Sequence, residues 1–156
     1  MLKPRFKCHA SSVGTIMTNP QRKSDTLSKT TISHVEQWMK ECLYDRRQQF
    51  SNKYTEKGNE CEADSIQFAS EYYGWGSVSK NEVTKQNDWF IGTCDIDRAV
   101  IGGDVKNSWS ENTFPLFATE PPNKDYVWQL QIYADLYGFE KLELIYTLMD
   151  APEWLI

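Results

Sequence analysis

The stretch WFIGTCDIDRAVIGGDVKN (residues 89–107) decides the fold. Val, Ile, Trp, Phe and Thr suit a pleated, half-buried surface, so residues 82–96 and 99–107 read as strands. Asp97-Arg98 between them reads as the tight turn of a hairpin. Side chains alternate along a strand. Trp89, Ile91, Thr93 and Asp95 then share one face of the first, and Val100, Gly102, Asp104 and Lys106 one face of the second. Gly102 and Gly103 weaken the second strand and let another segment approach closely. The hairpin brings Asp95 beside Asp104 and Lys106.

Working upstream, Ile32, Val35, Met39 and Leu43 recur at helical spacing, with Trp38 and Cys42 widening the stripe. They predict an amphipathic helix that ends near Phe50. Gly58 opens a second helix over residues 59–73, whose inner face would be Glu62, Ile66, Ala69 and Tyr73. A carboxylate aligned with an apolar face needs a partner. Before both helices, SSVGTIMT is a short segment that Ser11 or Ser12 can cap, and residues 19–31 form a polar loop. Downstream, SENTFPLFATEPPN (residues 110–123) is a proline-rich loop. A third helix spans Asp125–Tyr137 and is stopped by Gly138, and a last strand spans Leu142–Met149. The order is helix, helix, strand, strand, strand, helix, strand, with no internal repeat.

The chain has 156 residues, with 17 Lys+Arg against 22 Asp+Glu and a net charge of −5. This fits a single domain over residues 1–156. No apolar run approaches the roughly 20 residues of a membrane span, and MLKPRFKCHASS lacks the apolar stretch of a signal peptide. The expectation is a soluble, cytoplasmic protein without a membrane partner. Cys8, Cys42, Cys61 and Cys94 contain no CxxC pair, so zinc ribbons and redox motifs are unsupported, and free buried thiols are expected. With only His9 and His34, multi-histidine metal sites are excluded. Any divalent metal must be held mainly by carboxylates, which points to magnesium or manganese. The charge is uneven: residues 1–31 hold six basic side chains and one acid, and the rest is acidic. A basic arm suits a partner that is locally anionic, such as a phosphate backbone, or is a solvated terminus. The acidic body counsels against a protein that simply coats DNA.

Asp95, Asp104 and Glu62 together make an oxygen-rich cage, with Lys106 as the cation at its rim. Such a cage can hold one or two magnesium ions that retain water. Metal-activated water is a nucleophile suited to phosphate esters, and Lys106 would orient it or stabilise the anionic transition state. Singly, each residue has a blander reading: Asp-x-Lys as a solvent-facing pair, Asp95 as a turn residue, Glu62 as an exposed helix acid. Convergence of all four in order points to the cage rather than to four separate surface residues.

Asp95 followed after a gap by Asp104-Val105-Lys106 resembles the signature of the PD-(D/E)XK nuclease superfamily. KGNECEADSI (57–66) resembles the G-x-x-x-E helix of RecB-type and lambda-type phage exonucleases, with the acid at Glu62. YVWQLQIYADLYG (126–138) resembles their Q-x-x-x-Y helix, with Gln129 and Tyr133 in the motif positions. HASSVGTIM (9–17) resembles the segment in which a serine and a nearby arginine meet the DNA phosphate, which lands on Ser11 or Ser12 and on Arg5. The family more often has Glu where this chain has Asp104, and relatives commonly continue into further helices beyond DAPEWLI. A minimal or shortened member is therefore expected.

The resemblance implies an α/β, restriction-endonuclease-like core, a mixed central sheet flanked by helices, with the catalytic core over about residues 58–150. It implies a metal-dependent deoxyribonuclease, most readily an exonuclease of phage recombination type. Asp95, Asp104, the carbonyl of Val105 and Glu62 would hold Mg2+ or Mn2+, and Lys106 would position the attacking water. Gln129 would orient Lys106 or a phosphate. Ser11, Ser12, Arg5 and Tyr133 would face phosphates, although Tyr133 also reads as core, and Gln131 is as available as Gln129. Trp109, Phe114 and Phe117 can stack on bases, or simply seal a sheet edge. DNA is the implied partner, with a ring-shaped homo-oligomer and a single-strand annealing protein as further expectations. An endonuclease of the same fold and a non-catalytic DNA-binding or inhibitory protein are the alternatives.

Overall fold

The computed structural model describes residues 4–48 and 51–156. A short strand β1 (Cys8–His9) leads through a 3-10 turn into the one-turn helix α1 (Val13–Ile16). Ser12 sits at its start but makes no side-chain cap. Helix α2 (Lys29–Tyr44) begins where Ser28 accepts a hydrogen bond from the Thr31 backbone. It ends at Tyr44, because Asp45 turns left-handed (φ 49°). The expected end at Phe50 lies outside the described residues. Ile32, Met39 and Leu43 of the predicted stripe are exposed, and Cys42 is an exposed thiol rather than a buried one.

Helix α3 (Lys53–Tyr73) starts before Gly58, which is interior to it. Asn52 accepts from Tyr54 and Thr55, and Thr55 answers at the Asn52 backbone; this capping box fixes the start. Ile66 and Ala69 are buried as expected, whereas Tyr73 points out.

The central strands divide into two mixed sheets. In one, β3 (Phe90–Gly92) lies between β1, parallel, and β2 (Lys85–Gln86), antiparallel. In the other, β5 (Ile101–Asn107) lies between β4 (Ile96–Arg98), antiparallel, and β6 (Lys141–Thr147), parallel. The expected continuous strand over 82–96 is broken because its backbone is bonded elsewhere. The Asn81 amides donate to the carbonyls of Asp95 (2.8 Å) and Cys94 (2.9 Å), and Cys94 N–H donates to the Tyr137 hydroxyl (3.4 Å). Asp97 and Arg98 belong to β4, and the turn falls one step later, at Ala99 with φ 61°.

Helix α4 (Lys124–Tyr137) makes the crossover from β5 to β6, capped by Asn123 and ended by Gly138 at φ 76°. Alternation along β5 assigns the layers. Val105 packs with Ile66 of α3 and Ile96, and Asn107 bonds Ser65 of α3, whereas Gly102 and Lys106 face α4. A second core joins Ala10, Cys94, Leu130, Tyr133 and Phe139 on the α4 side. Gly102 is required there: a Cβ would stand 2.1 Å from the Phe139 ring. Overpacking of this kind costs about 1–3 kcal/mol. Gly102→Ala should lower unfolding stability by that amount in chemical denaturation. An unchanged midpoint would mean that the Phe139 ring is free to move aside.

Candidate active site

Antiparallel pairing of β4 with β5 aligns Ile96 with Gly103, so one step further Asp95 stands opposite Asp104. The Asp95 carboxylate accepts the Val105 backbone N–H at 2.7 Å. Asp104 is almost fully enclosed, 2% exposed, and Lys106, two residues on, brings Nζ to 2.6 Å from its Oδ2. That contact is a charge-assisted pairing of an ammonium group with an enclosed carboxylate oxygen. Lys106 Nζ also donates to Gln129 Oε1 over a long 3.5 Å and lies 4.6 Å from the centre of the Tyr126 ring. Gln129 in turn donates to the Tyr133 hydroxyl at 2.8 Å.

These groups line one cleft of about 520 Å³, with Glu62, Asp95, Asp104, Val105, Lys106 and Gln129 all on its wall. Glu62 arrives from α3, on the far side of the sheet, and its Oε2 accepts from Lys80 at 2.6 Å. Gln129 is buried rather than solvent-facing, which separates it from Gln131. Tyr133 is in the core, and its hydroxyl serves Gln129.

Burial pushes the Asp95 carboxyl up to about 8, and the charge of Asp104 adds to this; the Val105 N–H opposes it. Asp104 is also raised, by burial first, against the pull of Lys106. Each acid is thus held toward its neutral form by burial, and for Asp95 by the neighbouring charge as well. The candidate ligands are all oxygens, the carboxylates of Glu62, Asp95 and Asp104 on one cleft wall, so the set fits a hard divalent cation. Among the described residues no three His, Cys, Asp or Glu side chains already converge as an ion cage. Glu62 is drawn onto Lys80.

The other predicted residues lie apart. Arg5 pairs with Asp88 at 3.7 Å and covers the Trp89 ring at 4.8 Å. Arg5 and Ser12 line a separate cleft of about 680 Å³ with Lys7, His34, Arg46 and Arg47. Ser11 lines a third, beside Arg47 and Tyr133.

Sequence reasoning missed four residues. Lys57, 2% exposed, donates to the carbonyls of Ser108 (2.8 Å) and Trp109 (2.9 Å), tying α3 to the end of β5. Its signal was periodicity, since Lys57, Cys61, Ser65 and Ala69 share the buried stripe. Tyr146 stands beside Lys106 in register, its hydroxyl buried without a hydrogen-bond partner among the described residues, and Tyr126 lies against Lys106. Lys80 sits in an irregular segment and carried no signal.

No helix among the described residues is long and apolar enough to cross a membrane. No protein-family model and no curated protein matches the chain. Solved structures do. A phage-related exonuclease from Haemophilus somnus 129PT superposes with a TM-score of 0.87 at 30% identity, covering 98% of this chain and 73% of that one. An alkaline exonuclease from Laribacter hongkongensis gives 0.73 at 16% identity, covering 96% and 73%; with dAMP bound, it gives 0.74 at 17% over the same shares. These two share the fold.

The raised Asp95 pKa has a measurable consequence. The unfolded carboxyl loses its proton near its ordinary value of 3.8 and the folded one near 8. Between those values the unfolded chain binds fewer protons, so stability falls as pH rises. Asp95→Asn should match wild type near the lower limit and exceed it above the upper one, in thermal unfolding with chelator. Parallel curves would show that the Asp95 carboxyl titrates alike in the folded and unfolded chain.

Proposed function

Because the chain belongs to the phage-type exonucleases of the PD-(D/E)XK superfamily, we propose that it is an exodeoxyribonuclease that uses magnesium, with manganese as a substitute, to hydrolyse the phosphodiester bonds of linear DNA. The observation that carries this reading is the common cleft of Glu62, Asp95, Asp104, Lys106 and Gln129. The deoxynucleotide in the Laribacter enzyme agrees with DNA as the substrate class.

In this reading Asp95, Asp104, the Val105 carbonyl and Glu62 hold the cation. When bound, it supplies positive charge against the phosphate and acidifies water. Lys106 does the positioning. Its Nζ is fixed between Asp104 Oδ2 and Gln129 Oε1, where it can orient an attacking water and offset charge growing on the phosphate oxygens. Gln129 is itself held by Tyr133, so the amide cannot turn away from Lys106. Burial of Asp104 and Tyr133 makes this chain of contacts rigid. Arg5, Ser12 and the basic side chains around them would take backbone phosphates leading away from the cleft.

End-labelled linear duplex and a closed circle, with magnesium and with chelator, test the proposal. Wild type should degrade only the linear DNA, and only with metal. Lys106→Ala should be slower by about 10²–10⁴-fold, the usual worth of a positioned proton-transfer group. Cutting of the circle would make the protein an endonuclease, and full activity of the variant would move the chemistry to another cleft.

A further inference from the structure

Three acids face the cleft, and the structure gives two of them a lysine. Asp104 has Lys106 at 2.6 Å, and Glu62 has Lys80 at 2.6 Å. The second pair is not an ordinary surface contact. The Glu62 side chain is only 17% exposed, and Lys80 reaches it from a loop that is clamped to the site. The clamp is Asn81. Its backbone N–H donates to the Asp95 carbonyl (2.8 Å), and its side-chain amide donates to the Cys94 carbonyl (2.9 Å) and contacts the Tyr137 hydroxyl (3.3 Å). Asn81 Oδ1 accepts from Val83 N–H as well (3.1 Å), closing the loop on itself. The backbone at Lys80 is thereby fixed next to Asp95, and its flexible side chain ends on Glu62.

We propose that Lys80 is a built-in counter-cation that competes with the divalent metal for the Glu62 carboxylate and so sets metal affinity. The inference rests on the metal-dependent reading of this cleft. A carboxylate oxygen engaged by an ammonium group at 2.6 Å must exchange that partner before it can serve a metal. Because Asn81 holds the loop backbone, the exchange needs only rotation of the long Lys80 side chain, which is 44% exposed and has room to swing out. Lys80 also relieves repulsion among Glu62, Asp95 and Asp104, so the acids can be gathered before any ion arrives. The consequence is lower affinity for free metal than the three acids alone would have. Lys80 is a positioning residue in this scheme.

Calorimetric titration of the whole chain with manganese chloride alone, without DNA, tests this. Lys80→Met should bind the metal about tenfold more tightly than wild type, because the charge-assisted bond on Glu62 no longer has to be exchanged. Lys80→Arg keeps the charge and the hydrogen bond and should bind as wild type does. In a Glu62→Gln background the effect of Lys80→Met should vanish, because the contested carboxylate is gone. Unchanged or weaker binding by Lys80→Met would overturn the proposal. So would equal tightening in the Glu62→Gln background, which would mean a general field and not competition for one ligand. A wild type that binds no metal would overturn the metal-dependent reading and this inference with it, whereas normal wild-type binding with an indifferent Lys80→Met would remove the inference alone.

Discussion

Two carboxyl groups buried side by side, Asp95 and Asp104, are the constraint on which the rest of this structure turns. Burying one such charge is costly, and burying two in contact is costlier. The fold meets this with directed groups, the Val105 N–H on Asp95 and the Lys106 ammonium on Asp104, and burial pushes both carboxyls toward their neutral form. Each compensating group depends on a particular piece of architecture. Val105 N–H is available because β4 pairing stops at Ile96–Gly103, which leaves that edge of β5 open to the Asp95 carboxylate while β6 continues along the other edge. Lys106 is steady because α4 supplies Gln129, and Gln129 is steady because Tyr133 is locked in the core.

The break between the two sheets belongs to the same logic. A continuous strand through Cys94 and Asp95 would have used their backbone groups in ladder bonds. Instead Asn81 takes the carbonyls of Cys94 and Asp95 and Tyr137 takes the Cys94 N–H, which ends one sheet and starts the next just where Asp95 must turn inward. The site thus lies at a discontinuity that is held by side chains. Such a place can keep acids close together without requiring a regular element to bear the strain.

Much of this was legible in the sequence. Alternation and helical periodicity found the hairpin, α3, α4 and β6, and the spacing of Asp104 and Lys106 already placed them on one face. The G-x-x-x-E and Q-x-x-x-Y patterns located Glu62 and Gln129. What remained hidden is long-range or depends on single side chains. The turn moved to Ala99 because a positive φ at alanine is not a sequence signal. The start of α3 moved to Lys53 because an Asn-Thr capping box outweighed the glycine at 58. The split of the central strands rests on Asn81, distant in sequence from the bonds it takes. The apolar stripe on α2 is real as a pattern, yet Ile32, Met39, Cys42 and Leu43 are exposed, since a pattern predicts a face and not what covers it.

The account stands on one claim: that this cluster of acids and lysines is a divalent-cation centre for phosphodiester hydrolysis in a phage-type exonuclease. Anomalous diffraction from crystals grown with manganese tests it most directly. The account predicts a peak ligated by the carboxylates of Asp95 and Asp104 and the carbonyl of Val105, with Glu62 close by. A manganese peak elsewhere, or no peak at saturating metal, would contradict it.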